Sequence, residues 1–396
     1  MGVIVSKFGG SSVADANMFR RVRDIIESCP RRRYIVLSAP GKRFAKDLKI
    51  TDLLNQSHQL YSSGLDGSIP LKAVKSRFAA IIRELNSGIC PEEFVSSLEA
   101  DVRLSADHAA SRGEYLCAKL FSVYADIPFF DAARLIHFDE NGRLLREKTA
   151  NCIRDMAKRL PRAVIPGFYG SMPDGSIKTF TRGGSDISGA LIAAALNAEL
   201  YENWTDVDGL MSADPSLVRS AVHHPAVSYR QMRRLSHAGA NVLHPYCVEP
   251  VCEAGIPTVL KNTFYPERPG TYISDSFRKA VPCVSLVENK AAVRLCDLQD
   301  ESRDLIEALN IPTFISEDGC KTAVVSGDFA RGIPVSVISL FGLSEELFPD
   351  ACRIAGPIAK QMTDSGLILL IRPKSARLIL SELHNLLFTP EDSRIP

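Results

Sequence analysis

Short apolar runs alternate with longer amphipathic segments along the first two thirds of the chain. The apolar residues 3–5 open a strand predicted over 3–8, and the next segment places Phe19, Val22 and Ile26 on one face of a helix. Such alternation predicts an α/β sandwich of the amino-acid-kinase type, with a largely parallel central sheet. Further strands are predicted at 34–37, 163–167, 177–180, 199–204 and 256–260, and helices at 109–124, 186–197 and 228–238.

The pattern changes near the Pro-Glu-Arg-Pro-Gly segment at 266–270. We therefore predict a catalytic domain over residues 1–277 and a small α+β domain over residues 278–396. Strands of the second domain are predicted at 292–296, 313–316, 322–326, 335–341 and 367–371, and helices at 300–309, 352–364 and 375–388.

Composition and charge are those of an ordinary globular protein, with 45% hydrophobic and 23% charged residues. The net charge of +1 gives no overall field, so we expect neither nucleic acid nor a membrane as a partner. No apolar run approaches the roughly 18 residues of a transmembrane helix, and no signal peptide is visible. The ten cysteines include no Cys-x-x-Cys pair, which argues against a zinc site and favours a reducing compartment. We expect a cytoplasmic protein without metal-ligating side chains of its own.

A first glycine-rich turn follows the first predicted strand and contains Lys7, Gly9, Gly10 and Ser11. A lysine ammonium and backbone N–H groups at a helix N-terminus attract phosphate oxygens. Neither a Walker A loop nor Gly-x-Gly-x-x-Gly occurs in the chain. The alternative is a tight strand-to-helix connection with a solvent-exposed lysine.

A second glycine-rich turn spans residues 179–186 and precedes a helix. Arg182 can bind a carboxylate or phosphate with two N–H groups, and Ser185 or Asp186 can cap the helix. Another polar turn, 205–209, lies one helix and one strand later. Because polar turns at the ends of neighbouring strands form ligand sites in α/β sheets, these turns predict an enzyme that handles anions.

Six segments, collinear over residues 1–275, together resemble the aspartate kinases. The resemblance implies the amino-acid-kinase fold followed by ACT-type regulatory modules. It also implies transfer of the γ-phosphoryl group of ATP, with Mg²⁺, to the β-carboxylate of L-aspartate, which is the first step towards lysine, threonine and methionine. The segments are Val-Ser-Lys-Phe-Gly-Gly-Ser-Ser-Val-Ala at 5–14, Val-Leu-Ser-Ala-Pro-Gly-Lys-Arg-Phe at 36–44, Thr-Arg-Gly-Gly-Ser-Asp at 181–186, Trp-Thr-Asp-Val-Asp-Gly at 204–209, Ser-Ala-Asp-Pro at 212–215 and Gly-Ala-Asn-Val-Leu-His-Pro at 239–245.

The resemblance also implies roles for individual residues. Lys7 would stabilise the transferring phosphoryl group, and Asp186 would orient lysines or the metal. Arg182 would bind the α-carboxylate of aspartate, and Glu114 its ammonium group. A carboxylate nucleophile needs no general base at neutral pH, so catalysis would depend on positioning and charge neutralisation. Further matches are Ser38, Thr51, Phe168, Thr179 and Ser185 for the substrate pocket, and Gly9, Gly10, Ser11, Thr205 and Asp206 for the nucleotide. Met211, Ser216 and Asn241 occupy further nucleotide-binding positions.

Structural interpretations of several of these residues stay open. Glu114 could be an exposed helical acid, Ser38 and Thr51 could be helix caps, and Phe168 could belong to the core. Asp206 could be a turn former. We interpret the pair His223 and His224 as surface residues. We also interpret one group of basic residues as a solvated loop: Lys42, Arg43, Lys46 and Lys49.

Four positions depart from the usual family pattern. Met211 stands where an aromatic residue is frequent, Ser216 where a basic residue or asparagine is common, and Asn241 where many members have lysine. These three lie on the expected ATP side, where they bear on nucleotide affinity or base selectivity. The fourth, Thr181, replaces a common glycine.

The carboxyl-terminal segment departs further from the family pattern. It is shorter than two ACT modules, the stretch 295–303 lacks the usual glycine-rich effector loop, and one strand is expected to be missing between 354–363 and 366–371. We predict a compacted pair of ACT-like halves that supports a homodimer or a dimer of dimers. Lysine is the candidate effector there, with inhibition by lysine or threonine weakened or absent.

Two alternative functions stay open. One is another amino-acid kinase, acting on glutamate, acetylglutamate or a nucleoside monophosphate. The other is a catalytically weak amino-acid sensor with a kinase fold.

Overall fold

The computed structural model describes residues 2–181, 183–237, 249–277, 281–300, 311, 313–316, 320–326, 332–363 and 366–388. The chain divides into two compact units. The first comprises Met1–Gly209 and Leu243–Ser276, and the second comprises Leu210–Val242 and Phe277–Pro396. The segment Leu210–Val242, which the sequence-based division placed with the first 277 residues, is therefore part of the second unit.

The strands in chain order are β1 Ile4–Phe8, β2 Arg32–Leu37, β3 Ala163–Pro166, β4 Tyr169–Ser171, β5 Ile177–Thr179, β6 Leu200–Thr205, β7 Leu210–Met211, β8 His223–His224, β9 Ala226–Val227, β10 Thr258–Asn262, β11 Thr271–Ile273, β12 Cys283–Arg294, β13 Thr313–Ser316, β14 Lys321–Ser326, β15 Ile333–Phe341, β16 Ala359–Thr363 and β17 Gly366–Ile371. The helices are α1 Ala16–Glu27, α2 Ile50–Ser62, α3 Ser68–Leu85, α4 Pro91–Phe94, α5 Leu98–Leu104, α6 Ala106–Ala125, α7 Arg146–Arg159, α8 Gly184–Ala195, α9 Tyr229–His237, α10 Glu249–Glu253, α11 Phe348–Ala355 and α12 Ala376–Leu387.

The sheet of the first unit carries its strands in the order β3-β2-β1-β6-β10-β11. Every pairing from β3 to β10 is parallel, and β11 runs antiparallel to β10. Apolar residues of β1 and β2 pack into one core cluster with α1, α2, α3 and α6, while α8 contacts β1 and β2. The predicted α/β fold with a largely parallel sheet is confirmed.

Helix α1 shows how local sequence produces these elements. Asp15 caps its N-terminus, since the carboxylate accepts the Met18 N–H at 3.0 Å. The predicted apolar face, with Phe19, Val22 and Ile26, is buried. This helix was therefore predictable from its periodicity and its cap.

The second unit contains an antiparallel barrel with strand order β12-β14-β13-β16-β17-β15. Helix α12 buries its predicted apolar stripe, including Ile379, Leu380 and Leu383, in a cluster with residues of β15 and β17. The helix predicted at 300–309 falls almost wholly outside the described residues.

Three predictions for the second unit differ from the structure. The predicted helix 352–364 ends at Ala355, because Gly356 adopts a left-handed conformation (φ 50°) and Pro357 follows it. Residues Ala359–Thr363 form strand β16, so the strand expected to be missing is present. Strand β12 also begins at Cys283, well before the predicted position 292.

Two further observations concern the cysteines and the length and apolar character of the helices. A disulfide joins Cys296 and Cys320 in the second unit, which the scattered cysteine spacing did not predict. Among the described helices, none combines the length and the apolar character that crossing a membrane requires.

Candidate active site

The turns that follow neighbouring strands of the first unit meet at one edge of the sheet. Parallel strands place their carboxyl ends together, and this edge is where α/β proteins bind ligands. Four backbone hydrogen bonds join these turns: Gly167 N–H to Leu37 O at 2.9 Å, Ser38 N–H to Phe8 O at 3.1 Å, Gly9 N–H to Trp204 O at 2.9 Å, and Thr263 N–H to Thr205 O at 2.8 Å. The predicted residues Gly9, Ser38, Phe168, Thr205 and Asp206 therefore lie along one continuous edge.

Lys7 and Asp186, the two predicted catalytic residues, form an ion pair. Lys7 lies on β1 and Asp186 in the first turn of α8, and Lys7 Nζ is 2.5 Å from Asp186 Oδ1. The two side chains are only 9% and 18% exposed. A charge pair this deeply placed is screened little by solvent, so the attraction between the two groups is stronger than that of an exposed pair.

Asn203 on β6 contacts both members of this pair. Its Nδ2 donates to Asp186 Oδ1 at 2.8 Å, and its Oδ1 accepts from Lys7 Nζ at 3.5 Å. The sequence prediction missed this residue. The available signal was an amide side chain inside a strand that is otherwise rich in buried aromatic residues.

The glycine turn after β1 is closely packed against the loop after β2. Gly41 N–H donates to Gly10 O at 2.7 Å, and a Cβ atom on Gly41 would lie 2.5 Å from the Gly10 carbonyl carbon. Glycine is therefore required at this contact. Arg77 holds the loop from the other side, donating to Gly41 O at 2.6 Å and to Leu48 O at 2.9 Å.

The predicted solvated loop, with Lys42, Arg43, Lys46 and Lys49, is exposed as expected. Within this loop the Asp47 side chain is buried. Hydrogen bonds from the Arg43 side chain hold the pKa of the Asp47 carboxyl well below its usual range. The loop is thus anchored by Asp47 while its lysines face solvent.

Glu114 is the second buried acid near this edge. It lies on α6 with 5% exposure, so the interpretation as an exposed helical acid is wrong. Burial raises the pKa of its carboxyl to about 8, while a hydrogen bond with the Ala39 backbone acts in the opposite direction. Oε2 has no hydrogen-bond partner among the described residues. A buried carboxyl group with an oxygen that lacks a partner can accept a hydrogen bond from a ligand N–H group.

The other predicted pocket residues occupy several elements. Ser38 follows β2, and Thr51 lies in the first turn of α2; both are half-buried. Phe168 follows β3 with a positive φ of 81°, and its N–H donates to Ser188 Oγ at 3.0 Å. Ser185 is buried in the first turn of α8.

Thr179 is held by an acid that the sequence prediction did not consider. Asp107 on α6 accepts from the Thr179 hydroxyl and, at 3.2 Å, from its N–H. The same carboxylate accepts from Lys178 Nζ at 2.9 Å. In this arrangement Thr179 links β5 to α6.

The capping predictions were wrong. Gly183 is the N-cap of α8, without a side-chain cap, and Ser185 and Asp186 lie inside the first turn. The N-cap of α2 is Lys49, so Thr51 is not a cap. The Asp186 carboxylate is therefore directed to Lys7 and Asn203 rather than to the backbone of its own helix.

The predicted nucleotide residues fall into both units. In the first unit, a short 3₁₀ helix begins at Ser11, directly after Gly9 and Gly10. At the end of β6, Thr205 Oγ1 donates to Asp206 Oδ1 at 3.2 Å. In the second unit, Met211 pairs with His223 between β7 and β8. Ser216 donates its N–H and its hydroxyl to Asp214 Oδ1 at 2.8 and 2.7 Å.

Arg182 and Asn241 lie outside the described residues. His224, which was interpreted as a surface residue, is buried and its Nε2 lies 2.8 Å from Pro282 O. Within the described ranges no group of three His, Cys, Asp or Glu side chains could hold a metal ion.

Comparison with known proteins places these features in a family. A family model described as the amino acid kinase family matches residues 2–262. Aspartokinase 3 of Bacillus subtilis (strain 168) is 38% identical over 288 residues, which cover 68% of this chain and 63% of that protein. The crystal structure of Clostridium acetobutylicum aspartate kinase is similar with a TM-score of 0.84 and 30% identity, covering 98% of this chain and 100% of that chain.

Two structures of Escherichia coli aspartokinase III share the fold. The complex with aspartate and ADP has a TM-score of 0.78 at 22% identity, covering 97% of this chain and 99% of that one. The complex with lysine and aspartate has a TM-score of 0.75 at 23% identity, covering 98% and 99%. The matched region spans 63% of the length of the Bacillus relative. The family match extends over well over half of the sequence, and the chain belongs to the amino acid kinase family.

Proposed function

We propose that this protein is an aspartate kinase, which transfers the γ-phosphoryl group of ATP to the β-carboxylate of L-aspartate and forms 4-phospho-L-aspartate. The observation that carries the proposal is the Lys7–Asp186 ion pair beside the Gly9–Gly10 turn. The similarity to aspartate kinases of Bacillus and Clostridium supports it.

The reaction requires charge neutralisation rather than proton abstraction. The β-carboxylate of aspartate is already ionised at neutral pH and can attack phosphorus directly. Lys7 would neutralise the oxygens of the transferring group, and Asp186 would hold the Lys7 ammonium in place. Gly9 N–H is already bonded to Trp204 O, so the backbone contribution to phosphate binding would come from Gly10 and Ser11.

The nucleotide would enter with Mg²⁺, which supplies positive charge to the phosphate oxygens. Mg²⁺ prefers carboxylate, phosphate and water oxygens, and Asp186 and Asp206 offer carboxylates of that kind near the edge of the sheet. Thr205 and Asp206 would contact the nucleotide, with Met211, Ser216 and Asn241 as further candidates.

The substrate ammonium would be recognised by Glu114. Its unpartnered Oε2 is an acceptor that the described part of the chain leaves unsatisfied, and a cation beside it would favour the ionised carboxyl. Arg182 would bind the α-carboxylate, and Ser38, Thr51, Phe168, Thr179 and Ser185 would line the pocket. The E. coli enzyme whose fold this chain shares was solved with aspartate and ADP.

Residues 278–396, which belong to the second unit, would act as an ACT-like regulatory and dimerisation module, and residues 1–277 would form the catalytic domain. The E. coli enzyme was also solved with lysine and aspartate, so lysine is the effector to test. We infer that the protein is a cytoplasmic homodimer or dimer of dimers in which inhibition by lysine is weakened or absent. Calorimetric titration with lysine tests this inference, and micromolar binding accompanied by inhibition would overturn it.

A hydroxamate assay of acyl phosphate tests the proposed function. With ATP and Mg²⁺, aspartate should give product and glutamate should not. Lys7→Ala should abolish turnover, whereas Lys158→Ala, an exposed lysine on α7 that pairs with Asp155, should retain it. Preference for glutamate would indicate another amino-acid kinase, and aspartate binding without turnover would indicate a sensor.

A further inference from the structure

Asn203 is a buried amide placed next to the Lys7–Asp186 pair by strand register. Lys7 and Asn203 are direct partners in the parallel strands β1 and β6, so their side chains project from the same face of the sheet. Asn203 is 2% exposed. Helix α8 brings Asp186 to this face, where the carboxylate accepts from Asn203 Nδ2 at 2.8 Å.

The polarity of the amide matches the two charges that it contacts. Its N–H group faces the Asp186 carboxylate, and its carbonyl oxygen faces the Lys7 ammonium at the longer distance of 3.5 Å. The reversed amide would place oxygen against the carboxylate and nitrogen against the ammonium, which is unfavourable on both sides. An apolar side chain would offer neither contact, and a carboxylate would repel Asp186.

A second residue of the same strand fixes the backbone of Asp186. Tyr201 lies two residues before Asn203 and therefore on the same face, and its hydroxyl donates to Asp186 O at 3.0 Å. Gly189 on α8 makes room for the tyrosine, since a Cβ there would lie 2.7 Å from the Tyr201 hydroxyl oxygen. Strand β6 thus holds Asp186 both at its backbone and at its side chain.

We propose that Asn203 is a positioning residue, which holds the Asp186 carboxylate at a set distance from Lys7 before the phosphoryl group arrives. A phosphate oxygen competes with Asp186 for the N–H groups of Lys7. When the Lys7 ammonium turns part of its hydrogen bonding to the phosphate, the Asp186 carboxylate keeps the hydrogen bond from Asn203. Because of that bond, the carboxylate stays in place when the ammonium moves. This role rests on the proposed function, because phosphoryl transfer is the reaction that the pair would serve.

Two substitutions separate positioning from simple structural support. Asn203→Leu keeps a similar volume and removes both polar contacts. It should lower kcat by about tenfold to a hundredfold, the value of a hydrogen bond to a charged group, and leave KM for aspartate within about threefold. Asn203→Asp places a second carboxylate beside Asp186. Because two carboxylates that share a site cannot both ionise readily, the pH profile of kcat should gain a new ionisation.

Thr149→Val is the matched control. Thr149 is buried on α7 and is not among the proposed site residues, and its hydroxyl accepts the His137 N–H at 3.1 Å. This variant should lower Tm, as the loss of any buried hydrogen bond does, without changing kcat or its pH profile. A residue with a structural role alone would behave like this control.

A readout without turnover completes the experiment. Acylation of Lys7 by an amine-directed reagent, followed by mass spectrometry, reports how tightly the ammonium is held. We expect faster modification of Lys7 in Asn203→Leu than in the unsubstituted protein or in Thr149→Val. A folded Asn203→Leu variant with unchanged kcat and unchanged Lys7 labelling would overturn the proposal. Absence of turnover in the unsubstituted protein would reject the proposed function, while the labelling rates would still show whether Asn203 holds the pair.

Discussion

The Lys7 ammonium on β1 and the Asp186 carboxylate on α8 form an ion pair, with 2.5 Å between Nζ and Oδ1. The two residues are far apart in the sequence of the first unit and meet at the carboxyl edge of its sheet. A charge that is fixed in place before the reaction requires no reorganisation when negative charge develops on the transferring group. This pair is therefore the first target for mutation.

Asp186→Asn keeps the shape of the side chain and removes the charge that holds Lys7. We expect kcat to fall by about a hundredfold to a thousandfold, the range for loss of one group that organises transition-state charge. A coupled assay of ADP formation measures this effect, with circular dichroism to confirm folding. Near-normal turnover in the folded variant would show that Asp186 is not part of the catalytic group.

Glu114→Gln should stabilise the folded protein at neutral and higher pH. Burial raises the pKa of Glu114 to about 8 in the folded state, so the folded state binds this proton more tightly than the unfolded state does. The resulting stability is present in full below the unfolded pKa, near 4.5, and is lost as the pH rises towards 8.

The amide stays neutral at every pH, so the stabilisation by Glu114→Gln should be on the order of 3 kcal/mol at pH 7 and small at pH 4.5. Urea unfolding at the two pH values measures the free energy of unfolding. Glu140→Gln, an exposed acid, is the control and should change little at either pH. Equal effects of both variants would contradict the burial argument.

Aspartate binding should release protons near pH 7. The free protein holds Glu114 mostly protonated, because the pKa of its carboxyl is about 8, and an ammonium group against Oε2 would favour ionisation. Calorimetry in buffers of different ionisation enthalpy should detect the release of nearly one proton per site. The signal should disappear in Glu114→Gln; if it persists there, another group supplies the proton.

The second unit should lose stability below about pH 6.5. Ser212 Oγ accepts the Val222 N–H at 2.7 Å and lies 2.8 Å from His384 Nε2 in the interior of this unit. Burial lowers the pKa of His384 and also that of His224. Below the ordinary pKa of histidine, the two histidines are protonated more readily in the unfolded chain than in the folded unit. The free energy of unfolding therefore falls as the pH is lowered.

The replacement His384→Gln should remove part of this acid sensitivity, and His224 should retain the rest. Thermal unfolding at pH 7.5 and pH 5.5 measures the difference. If Tm falls by the same amount between these pH values in the variant and in the unsubstituted protein, His384 does not contribute.

Gly41→Ala should damage the contact between the two loops at the sheet edge. The added Cβ would lie 2.5 Å from the Gly10 carbonyl carbon, so the backbone must move, at a cost of about 1 to 3 kcal/mol. Lys42→Ala, at the exposed neighbouring position, should change stability by less than about 0.5 kcal/mol. Chemical denaturation distinguishes the two variants, and equal stabilities would show that the loops can separate without penalty.

Much of the local structure was predictable because it depends on local patterns. The apolar faces of α1 and α12 lie within single elements, and the predicted bounds of β1, β6 and α12 are within a few residues of those observed. The errors occurred in short segments, where contacts with other elements determine the secondary structure more than the local sequence pattern does. Residues Ala359–Thr363 continue a helical pattern but become strand β16, since Gly356 and Pro357 end the helix and two neighbouring strands pair with it.

The sequence by itself determined which chemistry is available: a lysine beside two glycines, an aspartate in a second glycine turn, and a set of motifs typical of aspartate kinases. Only the tertiary structure decided which side chains meet. The contact of Asn203 with Lys7 depends on the register between β1 and β6, and its contact with Asp186 depends on how α8 packs on that face. The burial of Glu114 likewise depends on what covers its helix. Register and helix packing are long-range relationships, and no local pattern of polar and apolar residues encodes them.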